Sequence, residues 1–339
     1  MRYGEFSSLV EAGRASLRRL LGEGDALLRE RFSGFYPGEM EDVLSVALEH
    51  AMVGRLFEDA EVISMGRRWL RAYCLGRRMP FEPFEVVLLS AMEELEPRDG
   101  SLSGMRDMWE AESSVEKEAP SEGVFPPCPR GSLCEDLLGK LRAFDKDGAK
   151  AMVDGLLERG LPMDRIYQEV FRPVLYRVGD LWLSGTVSVS VEHYSTAMVQ
   201  YLMAYIYLKR MPFAVRPRAR VLVLCAQGEE HELGSRMVAD LLEQRGFRSD
   251  YLGSSVPIRD VADFLSANDY FAVLISASMV RNVLSALELA SLARRRRPRS
   301  LVVLGGLAFA YGSLASKVEA DLVSFEVDPV LAFLEARLG

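Results

Sequence analysis

The residues best suited to chemistry fall in one short stretch, Q-G-E-E-H-E-L-G-S, running from Gln227 to Ser235. It places Glu229 two residues before His231, with Gly234 three residues after. An imidazole ligates borderline metals and changes charge near neutrality. A carboxylate two residues away can hydrogen-bond one ring nitrogen, which fixes the tautomer and makes the other nitrogen a stronger ligand. Gly234 opens a helical pattern, where a missing side chain lets a ligand approach the helix N-terminus. Small residues recur further on, at Ser276, Ser278, Gly305 and Gly306. Taken alone, the stretch fits a glycine- and hydroxyl-lined loop with a surface histidine equally well. A second group lies earlier: Trp182, nine intervening residues, then Glu192 and His193. The chain has only three histidines, and His193 and His231 both fall in these two groups, leaving His50 on a helix as a packed or solvated residue.

The elements that must position these residues follow from the periodicity. After the connector MPFAVRPRAR, apolar runs such as ARVLVLCA, YFAVLISAS and SLVVLGG alternate with helical segments. Strands built almost wholly from Val, Leu, Ile and Ala belong to a parallel sheet buried on both faces. Five strands and five helices predict a doubly wound α/β domain of flavodoxin-like order 2-1-3-4-5, whose ligands bind at the carboxyl ends of the strands. That edge would carry Glu229 and His231 after the first strand, Ser276 and Ser278 after the third, and Gly305 and Gly306 after the fourth. Small residues there would leave a slot running into the sheet.

Before it, four helical patterns between Ser132 and Met211 predict a four-helix bundle, with Trp182 late in the third helix and the Glu192–His193 pair early in the fourth. Residues 5–96 read as four more helical stretches, broken near Gly34 to Gly38, Gly54 and Pro80 to Pro83. Residues 97–130 are polar and punctuated, the composition of an exposed linker with a short helix around Trp109. The expected division is thus a helical domain over 1–96, a linker over 97–130, the bundle over 131–212 and the α/β domain over 213–339.

Composition sets bounds on function. A chain of 339 residues is too long for one core, and 49% hydrophobic with 27% charged residues argues against global disorder. No apolar run approaches the 18 or more residues of a membrane span, and the N-terminus lacks a signal-peptide pattern, so a cytoplasmic protein is expected. Residues 1–130 carry the whole net charge of −8, which argues against a nucleic-acid-binding domain there. The basic run RRRRPR, Arg294 to Arg299, reads as a solvated helix end stopped by Pro298. Four cysteines without a CxxC pair suggest reduced thiols rather than a disulfide framework or a zinc site.

The E-x-H-x-x-G, S-x-S and G-G pattern at Glu229, His231, Gly234, Ser276, Ser278, Gly305 and Gly306 resembles the cobalamin-binding domain, whose usual pattern is D-x-H-x-x-G, S-x-L and G-G. The stretch Leu252 to Pro257, with Gly253, looks like that family's loop after the second strand. The resemblance implies that His231 is the lower axial ligand of cobalt and that the serines and glycines line the slot for the displaced nucleotide tail. Glu229 and Ser278 are departures, where Asp and Leu are usual. The W-x9-E-H spacing resembles the helical cap of CarH-like adenosylcobalamin photoreceptors of the MerR class. Carried over, Trp182 and Glu192 would contact the upper adenosyl group with His193 nearby. Leu183 stands where that pattern has a histidine, and the MerR DNA-binding domain is not recognisable. The resemblance therefore implies a cobalamin-dependent sensory regulator, binding adenosylcobalamin and acting on a protein partner through residues 1–130. Light is one candidate signal, no catalytic residue is assigned, and a homo-oligomer is left open. The alternative is a corrinoid carrier of a methyltransferase system. A radical mutase would need a barrel that 130 helical residues cannot supply.

Overall fold

The computed structural model describes residues 1–23, 37–113, 128–129, 131–210 and 217–338. The first helices are α1 (Tyr3–Glu23), α2 (Pro37–Leu56), α3 (Ala60–Gly76) and α4 (Phe81–Leu95), with breaks where Gly and Pro predicted them. The expected break around Gly34 lies outside the described residues. Helices α2 and α3 cross closely because two glycines leave room. A Cβ on Gly66 would lie 2.4 Å from the Cβ of His50, and one on Gly54 would lie 2.4 Å from Ile63. His50 is buried there, its Nδ1 donating to the Val46 carbonyl at 2.7 Å, and burial holds its pKa below the usual value.

Over its described part the expected linker holds the short helix anticipated around Trp109, docked rather than exposed. Two single turns, Glu96–Arg98 and Gly100–Leu102, lead into α5 (Met105–Ser113), and Leu102, Met105 and Trp109 are all buried. The Trp109 indole donates to Glu85 at 3.1 Å. Polar composition misleads here because a nine-residue helix needs only one apolar stripe to dock.

The bundle consists of α6 (Leu133–Arg142), α7 (Lys146–Glu158), α8 and α9 (Val189–Arg210). Ser132 caps α6 by accepting from the Glu135 N–H, while Glu135 reaches back one residue past the cap to the Gly131 N–H. Helix α8 runs as Met163–Ile166, a π turn over Tyr167–Phe171, and Arg172–Leu183. The widened turn precedes Pro173, which has no N–H to continue the ladder. Cys128 and Cys134 pair as a disulfide, with Cα atoms 5.6 Å apart, so the expectation of four reduced thiols is corrected. The chain turning into α6 brings them together, which spacing alone does not reveal.

Five strands follow: β1 (Arg220–Cys225), β2 (Arg248–Gly253), β3 (Ala272–Ser276), β4 (Leu301–Gly305) and β5 (Leu322–Val323), all parallel in the order β2-β1-β3-β4-β5. Cys225 stands opposite Ser276 and Ser276 opposite Gly305, so three strands end level on one edge. The interleaved helices are α10 (Leu233–Gln244), α11 (Ile258–Ala267), α12 (Val283–Arg296) and α13 (Val327–Arg337). Alternation splits the sheet between two cores. Leu222, Leu224, Val273, Ile275, Val302 and Leu304 join α11, α12 and the N-terminal helices, whereas Val221, Val223, Leu274 and Val303 join α10, α13 and the bundle. Both faces are covered, which is why the strands read as near-continuous apolar runs. Among the described residues no helix is long and apolar enough to cross a membrane.

Candidate functional site

The loop after β1 is fixed at several points before it presents a side chain. The Gln227 side chain accepts from the Ile258 N–H at the start of α11 (2.9 Å), and the Gly228 N–H donates to Ser255 (3.0 Å). Gly228 has φ +88°, a conformation that favours glycine. Glu229 is then wholly buried, and both its carboxylate oxygens are saturated. Oε1 accepts from the His231 N–H (2.9 Å) and from His231 Nδ1 (2.7 Å). Oε2 accepts from the Ser278 and Met279 N–H groups (2.8 and 2.9 Å) and from the Asn282 amide (2.9 Å). Burial pushes this carboxyl up, but the bond and charge of His231, the Met279 N–H and Asn282 outweigh it and hold the pKa at about 2.

A carboxylate cannot donate, so His231 Nδ1 carries the proton and Nε2 keeps its lone pair. The imidazole is 61% exposed at the sheet edge. Its pKa is raised chiefly by the Glu229 hydrogen bond, against burial, with a smaller contribution from Glu192 across the gap. The two groups singled out from sequence therefore lie within electrostatic reach of one another. Among the described residues no cluster of three metal-ligating side chains occurs. A single outward-facing imidazole suits a metal that arrives already chelated by its own macrocycle and needs one axial ligand. The donor set thus fits a corrinoid.

The other strand ends are arranged as follows. Gly234 is the second residue of α10, with nothing within 4 Å of where a Cβ would sit, so the helix start is open. Gly253 ends β2 with φ +76° and abuts Glu232. Ser276 closes β3, while Ser278 contributes its backbone N–H to Glu229. Gly305 and Gly306 serve close backbone approach: a Cβ on Gly305 would lie 2.9 Å from the Ser324 carbonyl, and one on Gly306 2.3 Å from that of Ala277. In this structure the space expected for a slot at Gly306 is filled by that backbone.

Trp182 stands at the end of α8, half-buried, and its neighbours come from the N-terminal helices. Its ring lies 6.5 Å from Trp69 and 6.2 Å from Tyr73 of α3, with the Arg77 guanidinium 5.4 Å away. Leu183 is buried in the core shared with those helices. Glu192 and His193 occupy the first turn of α9. Glu192 accepts from His193 Nδ1 and from Thr196 (3.0 Å), and His193 is 75% exposed. Sequence reasoning missed Asn282, Arg77 and the Arg281–Glu49 pair (3.6 Å) that joins α2 to the loop after β3. All are distant partners in sequence, and only the buried Asn282 carried a hint, as a polar residue within an otherwise apolar helix start.

Comparison with known proteins agrees with this geometry. Residues 219–331 match the B12 binding domain, and residues 133–207 match a second family described as B12 binding domain. The chain is 32% identical over 175 residues to the HTH-type transcriptional repressor CarH of Myxococcus xanthus, covering 51% of this chain and 57% of that protein. It therefore spans little more than half of that relative. It is 28% identical over 185 residues to dimethylamine corrinoid protein 3 of Methanosarcina acetivorans, covering 53% of this chain and 81% of that protein. The solved Methanosarcina barkeri monomethylamine corrinoid protein superposes with a TM-score of 0.52 at 18% identity, over 60% of this chain and 98% of that one. The last likeness establishes the shared fold of helical bundle and parallel sheet.

Proposed function

We propose that this cobalamin-binding protein is a sensory regulator that holds adenosylcobalamin between the bundle and the sheet edge and passes the cofactor's state to a protein partner through residues 1–130. The observation that carries the sensory reading is the seat of Trp182. Its ring is packed under Trp69 and Tyr73 of the N-terminal helices, so the bundle end nearest Glu192 and His193 is tied to the part of the chain that has no B12-binding match. Adenosylcobalamin, when bound, supplies a carbon–cobalt bond that light can break. The chain's own groups bind and orient. His231 offers Nε2 as the lower ligand, and Glu229 holds its tautomer. Gly234 leaves the loop edge open and Gly253 ends β2 beside it, while Ser276, Ser278, Gly305 and Gly306 form the strand ends against which a nucleotide tail would lie, entering the sheet only once the Ala277–Gly306 contact parts. Glu192 and His193 would face the upper side, and Trp182, at the adjoining bundle end, backs that wall against α3. The charge of residues 1–130 fits a protein partner better than DNA.

The second reading, a corrinoid carrier of a methyltransferase system, is favoured by how completely the bundle and sheet match such carriers: 81% of one and 98% of another are covered. A carrier must leave its upper face open to a methyl donor, whereas here the bundle end is buttressed. Spectra of the full chain with adenosylcobalamin, before and after green light, separate the two. A light-dependent spectral change accompanied by altered hydrogen exchange in α3 is expected. Light-insensitive exchange, together with demethylation of bound methylcobalamin by an added methyltransferase partner, would replace the sensory reading with the carrier.

A further inference from the structure

Helix α3 touches both walls of the site, one at each end. Its N-cap, Asp59, is 4% exposed and accepts from the Ser313 N–H (2.7 Å) and Ser313 Oγ (2.8 Å) in the turns after β4. Gly312 makes this approach feasible, since a Cβ there would lie 2.4 Å from the Asp59 carboxylate. Lys317 reinforces the junction by donating to the carbonyls of Phe57 (2.7 Å) and Glu58 (3.1 Å). At the other end, Arg77 donates to the carbonyls of Leu183 (2.7 Å) and Trp182 (3.1 Å), and its guanidinium lies 3.7 Å from the Tyr73 ring centroid. Gly76 meets the turn after α8 backbone to backbone, for a Cβ on it would lie 2.4 Å from the Ser184 carbonyl carbon. Between the two ends run 17 helical residues, ~25 Å at the α-helical rise.

A helix of that length does not stretch or shorten by ångströms without breaking its own hydrogen bonds. One end is fixed to the sheet domain and the other to the bundle, in each case through backbone atoms. The bundle and the sheet domain already share a core along α10 and α13, so that side acts as the hinge and α3 sets the distance between the anchor points on the other face. The sheet domain carries His231 and the bundle carries Glu192.

We propose that α3 is a strut that fixes the separation of the two walls, so that a corrinoid enters only when one end lets go, and the N-terminal helices thereby register occupancy. The proposal rests on the cobalamin site described above. Both ends carry one ionised partner, the Asp59 carboxylate and the Arg77 guanidinium, but Asp59 is buried while Arg77 is only part-buried over the Tyr73 ring. Water weakens such bonds, and it reaches the part-buried Arg77 beside the exposed Leu75 but not the buried Asp59, so the Arg77 end yields first.

The test uses the full chain with hydroxocobalamin, followed by visible absorption and by hydrogen exchange. On binding, exchange is expected to rise at Leu75–Arg78 and Leu183–Gly185 and to stay unchanged around Asp59. Arg77→Ala and Asp59→Asn should each speed association; a closed form holding nine-tenths of the population would give about tenfold. Because releasing either end frees the strut, the double variant should be no faster than the faster single one. Gly76→Val, which wedges a side chain against Ser184 without changing charge, should match Arg77→Ala. Binding with unchanged exchange at both ends of α3, or rates that multiply in the double variant, would overturn the strut while leaving the cobalamin site standing. No spectral change with the wild type would overturn the site itself and the strut with it.

Discussion

The two walls of the site are built on opposite plans. On the sheet edge, Glu229 is buried and hydrogen-bonded by four other residues, so the orientation of His231 is settled before any ligand arrives. On the bundle, Glu192 and His193 rest on one another and on Thr196 within a single helical turn, and Trp182 is steadied from behind by α3. The contrast teaches that preorganisation is concentrated at the imidazole proposed as the lower ligand, while the bundle end depends on the N-terminal helices for its position.

The sharpest way to break this contrast is at Glu229. Glu229→Ala strands three backbone N–H groups, the Asn282 amide and the His231 ring, and is expected to cost about 3–4 kcal/mol of unfolding free energy in urea titrations. The same change should weaken cobalamin binding about 10- to 100-fold, the usual effect of losing the partner that orients a ligand. His231→Ala should abolish the histidine-ligated visible spectrum yet leave stability within about 0.5 kcal/mol, since the ring is mostly exposed. If both variants destabilise equally, the sheet edge is not organised around the carboxylate.

On the other wall, Trp182→Ala should cost about 2 kcal/mol, less than a fully buried tryptophan because the ring is only half-buried. Hydrogen exchange in α3 should rise with it. Unaltered exchange there would mean that the ring does not join the bundle to the N-terminal helices.

Asp59 gives a pH-dependent comparison. Burial raises its carboxyl, but the Ser313 bonds and Lys317 outweigh this and hold the pKa below the ordinary aspartate value. A depressed value in the folded state makes the contribution complete above about pH 4 and progressively lost as pH falls through the folded value. Asp59→Asn should therefore lower stability by about 1–2 kcal/mol at pH 7 and by much less near pH 3, measured by urea unfolding at both. The smallest effect is expected from His193→Ala, within about 0.5 kcal/mol, because that ring is exposed and bonded only to its neighbour in sequence.

Much of this was legible beforehand because it is written in local periodicity. The apolar runs around Val221–Leu224 and Val302–Leu304 could belong only to strands covered on both faces, and the E-x-H spacing brings a carboxylate to its own imidazole without help from distant chain. Glycines and prolines marked the ends of α2, α3 and α4 for the same reason, since they act on the backbone where they stand. What periodicity does not carry is which surfaces meet. Trp109 lies in a polar stretch yet docks in a core, Cys128 and Cys134 close a loop, and Arg77 reaches carbonyls more than a hundred residues away. The sequence by itself determined the sheet, the bundle and the Glu229–His231 pair, because each follows from spacing within one element or loop. Only the tertiary structure decided that Asn282 completes the carboxylate's bonding and that α3 spans both walls, because side-chain hydrogen bonds to distant parts of the chain depend on docking that no local pattern encodes.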